Sequence, residues 1–113
     1  MIQAIIYRNK KHHICGFQLS GHAGYAEEGQ DIVCAAVTVL TLNTVNALEQ
    51  FTKTEFQCEA DESQGGFLSV CFPKIKEGAE DRNAQLLLKT MVLGLENIEQ
   101  EYGRYITLNN REV

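Results

Sequence analysis

Residues 21–51, GHAGYAEEGQDIVCAAVTVLTLNTVNALEQF, decide how the chain is built. His22 follows the end of an apolar run, and Ala23 to Gln30 reads as a loop with Gly24 and Gly29 as punctuation. From Asp31 the pattern becomes an uncharged helix, with Asp31 as the expected N-cap and a helical span from about Ile32 to Phe51. Counted from that cap, Cys34 falls in the first turn, beside unpaired backbone N–H groups and the positive end of the helix dipole. A thiol there, with an imidazolium nearby, can fall from about 8.5 to roughly 3.5–7.5, and His22 can supply the imidazolium. The competing reading is packing, since cysteine is among the most buried residue types and Ala35, Ala36 and Val37 follow it. On spacing alone the two readings weigh evenly.

The strings GHAGY (21–25) and GQDIVCAAVT (29–38) resemble the signature of the ribosomal-processing cysteine protease family Prp, in which a GHA element and a G-x-DIVCAA-x-S element carry the catalytic histidine and cysteine. The resemblance extends to Val45 and Asn46 and to the tail AQLLLKTMVLGLENIEQEY leading into ITLNN, so it covers nearly the whole chain. It implies His22 as base and Cys34 as nucleophile, with Asp31 a matched motif position. The family's serine position carries Thr38, which keeps a hydroxyl. The implied substrate is the N-terminal extension of a large-subunit ribosomal protein, cleaved after an aromatic pair before assembly, with no cofactor.

Length and composition set the frame. At 113 residues the chain is expected to be one domain, 1–113, with 44% hydrophobic and 22% charged residues, one proline and no internal repeat. A net charge of -5 argues against a nucleic-acid surface, which needs clustered Lys and Arg, and would suit a basic partner. Cysteines 15, 34, 58 and 71 include no C-x-x-C pair, which weakens disulfide and structural zinc readings. The opening MIQAIIYRNKK lacks the order of a signal peptide, so a reducing cytoplasm is expected. Residues 32–48 carry no charge, yet threonines and asparagines interrupt them, so the expectation is a helix buried in protein and not a membrane span.

In chain order, Ile2 to Tyr7 reads as a strand, Arg8 to Lys11 as a turn, and His13 to Ser20 as a second strand delivering His22 at its end; His12 and His13 read as solvated or edge residues. Cys15 is expected in the core. In the first helix Val33, Val37, Leu40, Leu48 and Phe51 share a face, while Ile32, Val39, Leu42 and Val45 make the remainder unusually apolar, so a second surface is needed, a homodimer contact being one candidate. Thr54 to Asp61 alternates, with Cys58 pointing inward; Leu68 to Phe72 alternates with Cys71 outward, and Pro73 ends that strand. From about Glu80 a second helix places Ala84, Leu88, Met91, Leu95, Ile98 and Tyr102 on one stripe, Gly103 stops it, and Tyr105 to Leu108 is a final strand. The order β-β-α-β-β-α-β predicts an α+β two-layer sandwich, a mainly antiparallel five-stranded sheet with two helices on one face.

The leading functional reading is a cysteine endopeptidase using His22 and Cys34, with Ala23, Gly24, Tyr25 and Gly29 in a substrate-gating loop and Asp31 and Thr38 in support. The second is a binding module for a ribosomal protein or assembly intermediate, with Cys34 merely packed. A third places a metal on His22, Cys34 and an acid from Glu27, Glu28 or Asp31, without family spacing. Expected partners are the extended ribosomal protein and a second copy of the chain, without direct nucleic-acid or membrane contact.

Overall fold

A computed structural model describes residues 1–21, 28–61 and 66–113; the side chains of residues 28–31 also lie outside the description. Five strands, β1 (Ile2–Arg8), β2 (Ile14–Ser20), β3 (Gln57–Asp61), β4 (Phe67–Cys71) and β5 (Ile106–Glu112), form one sheet in the order β3-β4-β2-β1-β5. Every pairing is antiparallel except the parallel β1–β5 pair. Among the described residues the helices are α1 (Glu28–Phe51), α2 (Pro73–Lys76) and α3 (Arg82–Tyr102). The expected α+β sheet and its two long helices are present.

Register explains why one face is apolar. The pairs Ala60↔Leu68, Leu68↔Leu19, Leu19↔Ala4 and Ala4↔Leu108 run as one row across all five strands, and Cys58, Val70, Phe17 and Ile6 make the next. Strand side chains alternate with period two, so both rows point to the same side. There they meet Val33, Val37, Val45 and Leu48 of α1 and Ala84, Leu88, Met91 and Leu95 of α3, all buried in one core. Gly94 lets the helices approach closely, since a Cβ there would lie 2.7 Å from Leu40 Cδ2.

Two buried amides fix the connections. Gln85 of α3 donates from Nε2 to the Ile14 carbonyl at 2.7 Å and accepts from the Ile14 N–H at 2.8 Å, closing a two-bond ring on the first residue of β2. Asn9 Oδ1 accepts from the N–H groups of Lys11 and His13, and Asn9 Nδ2 donates to the Ile75 carbonyl at 2.8 Å, tying the β1–β2 turn to α2. His12 occupies that turn at φ 66, so its place is conformational. At the far end Asp81 caps α3 by accepting from the Ala84 N–H and also takes a hydrogen bond from the Thr54 hydroxyl.

The structure corrects several expectations. Helix α1 begins at Glu28, so Gly29 and Asp31 lie within the helix and Asp31 is not its N-cap. Residues 29–38 run helical straight through the motif because Gln30 to Ala36 contains neither proline nor glycine to stop them. Phe51 is 71% exposed instead of joining the core. Cys58 shares the helix side of the sheet with Val70, but β3 is the marginal strand and all five of its residues are exposed, so Cys58 is not inward. Pro73 does more than end β4: as the first residue of α2 its fixed φ starts a short helix. Strand β5 extends to Glu112 because the parallel ladder with β1 continues to Arg8↔Glu112.

Burial of α1 throughout also fails. Ile32–Phe51 is 20 residues of mean hydropathy 1.6, long and apolar enough by composition to cross a membrane, and only 33% of the apolar window is buried. One stripe is built into the core, while Ile32, Val39 and Leu42 remain 45–68% exposed.

Gln85→Leu leaves the buried Ile14 N–H and C=O without partners, at about 1–3 kcal/mol for each group. Chemical denaturation of this variant should therefore show a loss of about 2–6 kcal/mol at unchanged m-value.

Candidate active site

Cys34 sits on the side of α1 that faces the sheet. Helical periodicity places Cys34, Val37, Thr38, Thr41 and Leu42 along one stripe, which continues through Val45 and Leu48 into the core. The Thr41 hydroxyl is buried and donates to the Val37 carbonyl at 2.8 Å, so it is satisfied within its own helix and offers the surroundings no loose donor. Beneath the stripe lies the end of the sheet where Ile2, Leu19, Ala60 and Leu68 point upward. Between them is a cavity of about 160 Å³, lined by these residues together with Gly21, Gly66 and Phe67.

Gly21 was not singled out by sequence reasoning, yet it shapes the cavity wall. Its φ is +85°, and a Cβ at this position would lie 2.2 Å from the Met1 carbonyl oxygen. Only glycine fits both the left-handed backbone and the contact. The signal was available in the motif's first letter, but sequence alone does not show which glycine faces a neighbouring strand.

The predicted residues divide as follows. Cys34 is half-buried at the cavity, and Thr38 lines it from an exposed position. Gly29 and Asp31 are in α1, with the Asp31 side chain outside the description. His22, Ala23, Gly24 and Tyr25 lie outside the described residues, as does the rest of the expected gating loop up to Glu27. Glu28, Gly29 and Gln30, expected in that loop, are helical. Of the alternative metal set, only the Cys34 side chain lies within the description. Among the described residues no three His, Cys, Asp or Glu side chains come together.

The earlier start of α1 changes the electrostatics expected of Cys34. It is the seventh helical residue, roughly 9 Å along the axis from Glu28 at about 1.5 Å per residue. The dipole effect fades within the first turn, so the unpaired N–H groups of that turn are not adjacent to this thiol. Burial decides the other thiols. Cys15 is 2% exposed, and its pKa is raised by desolvation and then by Cys71 nearby. Cys58 is exposed as a residue but its sulfur is partly shielded, and that shielding followed by the Glu49 carboxylate holds its pKa above the ordinary thiol value. Cys71 is half-buried on the opposite sheet face, paired with Gly16 and Gln57. Cys34 alone among the four lines the cavity.

A family model described as cysteine protease Prp matches residues 1–107. The ribosomal processing cysteine protease Prp of Bacillus subtilis is 39% identical over 102 residues, 90% of each chain, and that of Staphylococcus aureus is 33% identical over 111 residues, 96% of this chain and 98% of that one. Among solved structures, SMU.848 from Streptococcus mutans superposes with a TM-score of 0.88 at 36% identity, covering 100% of this chain and 96% of the other. The S. aureus Prp in complex with a substrate peptide gives a TM-score of 0.84 at 31% identity, covering 98% and 100%. The same S. aureus protease has also been solved with a covalently linked product peptide, with a TM-score of 0.80 at 32% identity and the same coverage.

Thiol labelling follows from these environments. In the folded protein at neutral pH, iodoacetamide should modify Cys34 first by peptide mass mapping. Cys58 labelling should climb only as pH passes the ordinary thiol range, because a raised pKa keeps it protonated below that, and Cys15 should react only on unfolding.

Proposed function

Since the chain belongs to the Prp family of cysteine proteases, we propose that it removes the N-terminal extension of a large-subunit ribosomal protein with Cys34 as nucleophile and His22 as its proton-transfer partner. One observation carries the assignment of the pair. Gly21 and Cys34 line the same cavity, and His22 directly follows Gly21 in the chain. The thiol is thus on a cavity wall reached by the end of the strand that leads into the histidine, although 12 residues separate the two in sequence.

The chemistry is acyl transfer. The Cys34 thiolate attacks the scissile carbonyl carbon, the C–N bond breaks as the imidazolium of His22 protonates the departing amine, and a thioester remains on sulfur. His22 then takes a proton from water, hydroxide adds to the thioester, and the thiolate leaves with the carboxylate product free. The covalently linked product peptide on the S. aureus relative is what such a route would leave on an enzyme caught late in turnover. Oxyanion stabilisation by the first-turn amides of α1 is not retained, because Cys34 lies a full turn beyond them. Residues 23–27 join the two catalytic positions and are assigned the gating role, with Gly29 removed from it by its helical backbone.

The exposed stripe of α1 supports a second proposal, a two-fold homodimer. Ile32 and Val39 are 58% and 68% exposed on a helix with no charge from Ile32 to Leu48. A self-complementary helix face of this kind closes naturally in a two-fold pair. The expected setting is the cytoplasm, where the four thiols stay reduced.

Cys34→Ala should abolish removal of the extension from the intact ribosomal protein, scored by product mass, with the circular dichroism spectrum unchanged. His22→Ala should slow it by about 10²–10⁴-fold. Cleavage by the Cys34 variant at the parental rate would refute Cys34 as the nucleophile, and absence of cleavage by the parental chain would leave the binding-module reading. Light scattering should give about twice the 12.7 kDa chain mass, and Val39→Glu should return it to the single-chain value.

A further inference from the structure

The packing of α1 leaves the helix-side face of β3 open. Cys58 and Ala60 point the same way as Val70 and Leu68, yet they are exposed while those two are buried. Phe56, on the same alternation, is half-buried with its ring tilted on Phe72, centroids 5.6 Å apart. Beside this floor, Thr38, Leu42, Val45 and Glu49 follow one another on α1 at i, i+4, i+7 and i+11, one stripe of the helix. Val45 is buried at the base of that stripe, whereas Thr38, Leu42 and Glu49 are exposed.

The two ends of the resulting channel are fixed by separate observations. At one end Ala60, Thr38 and Leu42 line the cavity that contains Cys34. At the other, Cys58 feels the Glu49 carboxylate, which adds to the partial burial that raises its pKa. Glu49 lies about 22 Å along the helix from Cys34 at about 1.5 Å per residue, and no charged residue of α1 intervenes. Among the described residues Glu49 has no salt-bridge partner, whereas Lys74 holds Glu55 at 3.3 Å and Lys11 holds Glu80 at 3.8 Å.

We infer that the substrate peptide runs in this channel and that Glu49 is a specificity-determining residue, receiving a lysine or arginine of the substrate about five to seven residues from the scissile bond. This rests on the protease reading above. An extended chain rises about 3.3 Å per residue, so about seven residues cover the distance, and fewer suffice where two long side chains reach toward each other. The chemistry of the channel names its occupant. A lysine or arginine lays its apolar stem on Cys58 and Ala60 while its charged head stays in water beside the carboxylate. An acid at that place is repelled, and the uncharged walls nearer Cys34 ask for no charge at all. A ribosomal protein, basic because it binds RNA phosphates, supplies such residues to a chain of net charge -5.

The probe is a synthetic peptide spanning the extension and cleavage site of the organism's own large-subunit ribosomal protein, with each position in turn made lysine or glutamine. For the parental chain the ratio of the glutamine KM to the lysine KM should peak about five to seven residues from the scissile bond, on one side of it, with kcat equal for that pair. Glu49→Gln should raise KM for the preferred lysine peptide by about two- to fivefold, the scale of an exposed ion pair, and erase the peak. Glu49→Lys should transfer the preference to a glutamate at the same position. Glu96→Gln, exposed on α3, removes the same charge and should leave the profile unchanged. Cys58 reports the geometry separately, by mass mapping of iodoacetamide labelling in the Cys34→Ala chain. Without peptide, Glu49→Gln should lower the pH at which Cys58 begins to react. Saturating peptide should slow the labelling several-fold at a pH where Cys58 is fully ionised.

A KM ratio indifferent to lysine position, or a Glu96→Gln effect equal to that of Glu49→Gln, assigns the preference to net charge and overturns the channel. Cys58 labelling that ignores saturating peptide, or a Cys58 titration that ignores Glu49→Gln, overturns it as well. In each case cleavage by the parental chain leaves the protease reading standing. If the parental chain does not cleave the unaltered peptide, both readings fall.

Discussion

The packing of one stripe of α1 across one end of the sheet is the constraint from which the rest follows. Leu48 and Val45 anchor the helix in the core, and the same periodicity brings Cys34 over Leu19 and Leu68 three turns earlier. Because the interior is close-packed, the helix cannot rotate about its axis without lifting Leu48 out. The direction of the thiol is therefore set by the buried side chains of the same helix, Val33 and Val37 beside it and Val45 and Leu48 further along. The cavity exists where the stripe turns small and polar, at Cys34, Thr38 and Thr41, and no longer fills the space above Ala60.

Period-two and helical patterns made the main elements legible. The strand from Ile14 to Ser20, the α3 stripe through Leu88, Met91 and Leu95, and the outward setting of Cys71 all follow from alternation or from helical spacing against a single core. What escaped was whatever depends on long-range neighbours. The inward reading of Cys58 assumed that every alternating strand has a roof, and only its position at the sheet margin, fixed by pairing order, removes it. The Gln85 ring on Ile14 joins residues 71 apart and carries no local signal. The cap at Asp31 failed for a different reason: aspartate is a strong cap former but also an ordinary residue of a helix's first turn, and nothing local distinguishes those uses.

Sequence singled out Cys34, and the fold sets it apart from the other three cysteines as the one that lines the cavity. Cys15 has the burial that suppresses thiolate, Cys58 has partial shielding and then the Glu49 carboxylate, and Cys71 lies on the opposite face of the sheet. Four chemically identical side chains are thus given different surroundings by the sheet's two-sidedness and by desolvation. The motif's Thr38 illustrates the same point. Its exposed position on the cavity wall tolerates an added methyl, whereas Gly21, held against the Met1 carbonyl, tolerates no side chain.

The parallel pairing of β1 with β5 gives the molecule a temporal property. Ile2, a wall residue of the cavity, is hydrogen-bonded through its N–H to the Tyr105 carbonyl at 2.8 Å and is in register with Ile106, so the first strand made is completed by the last. Contacts of such long sequence separation form late, after the intervening loops have closed. On a translating ribosome β1 therefore waits with one edge open until the C-terminal strand has emerged. A chain lacking β5 would keep the β1–β2 ladder but leave the other edge of β1 open, so that Ile2, the cavity's wall residue on that strand, is held from one side only.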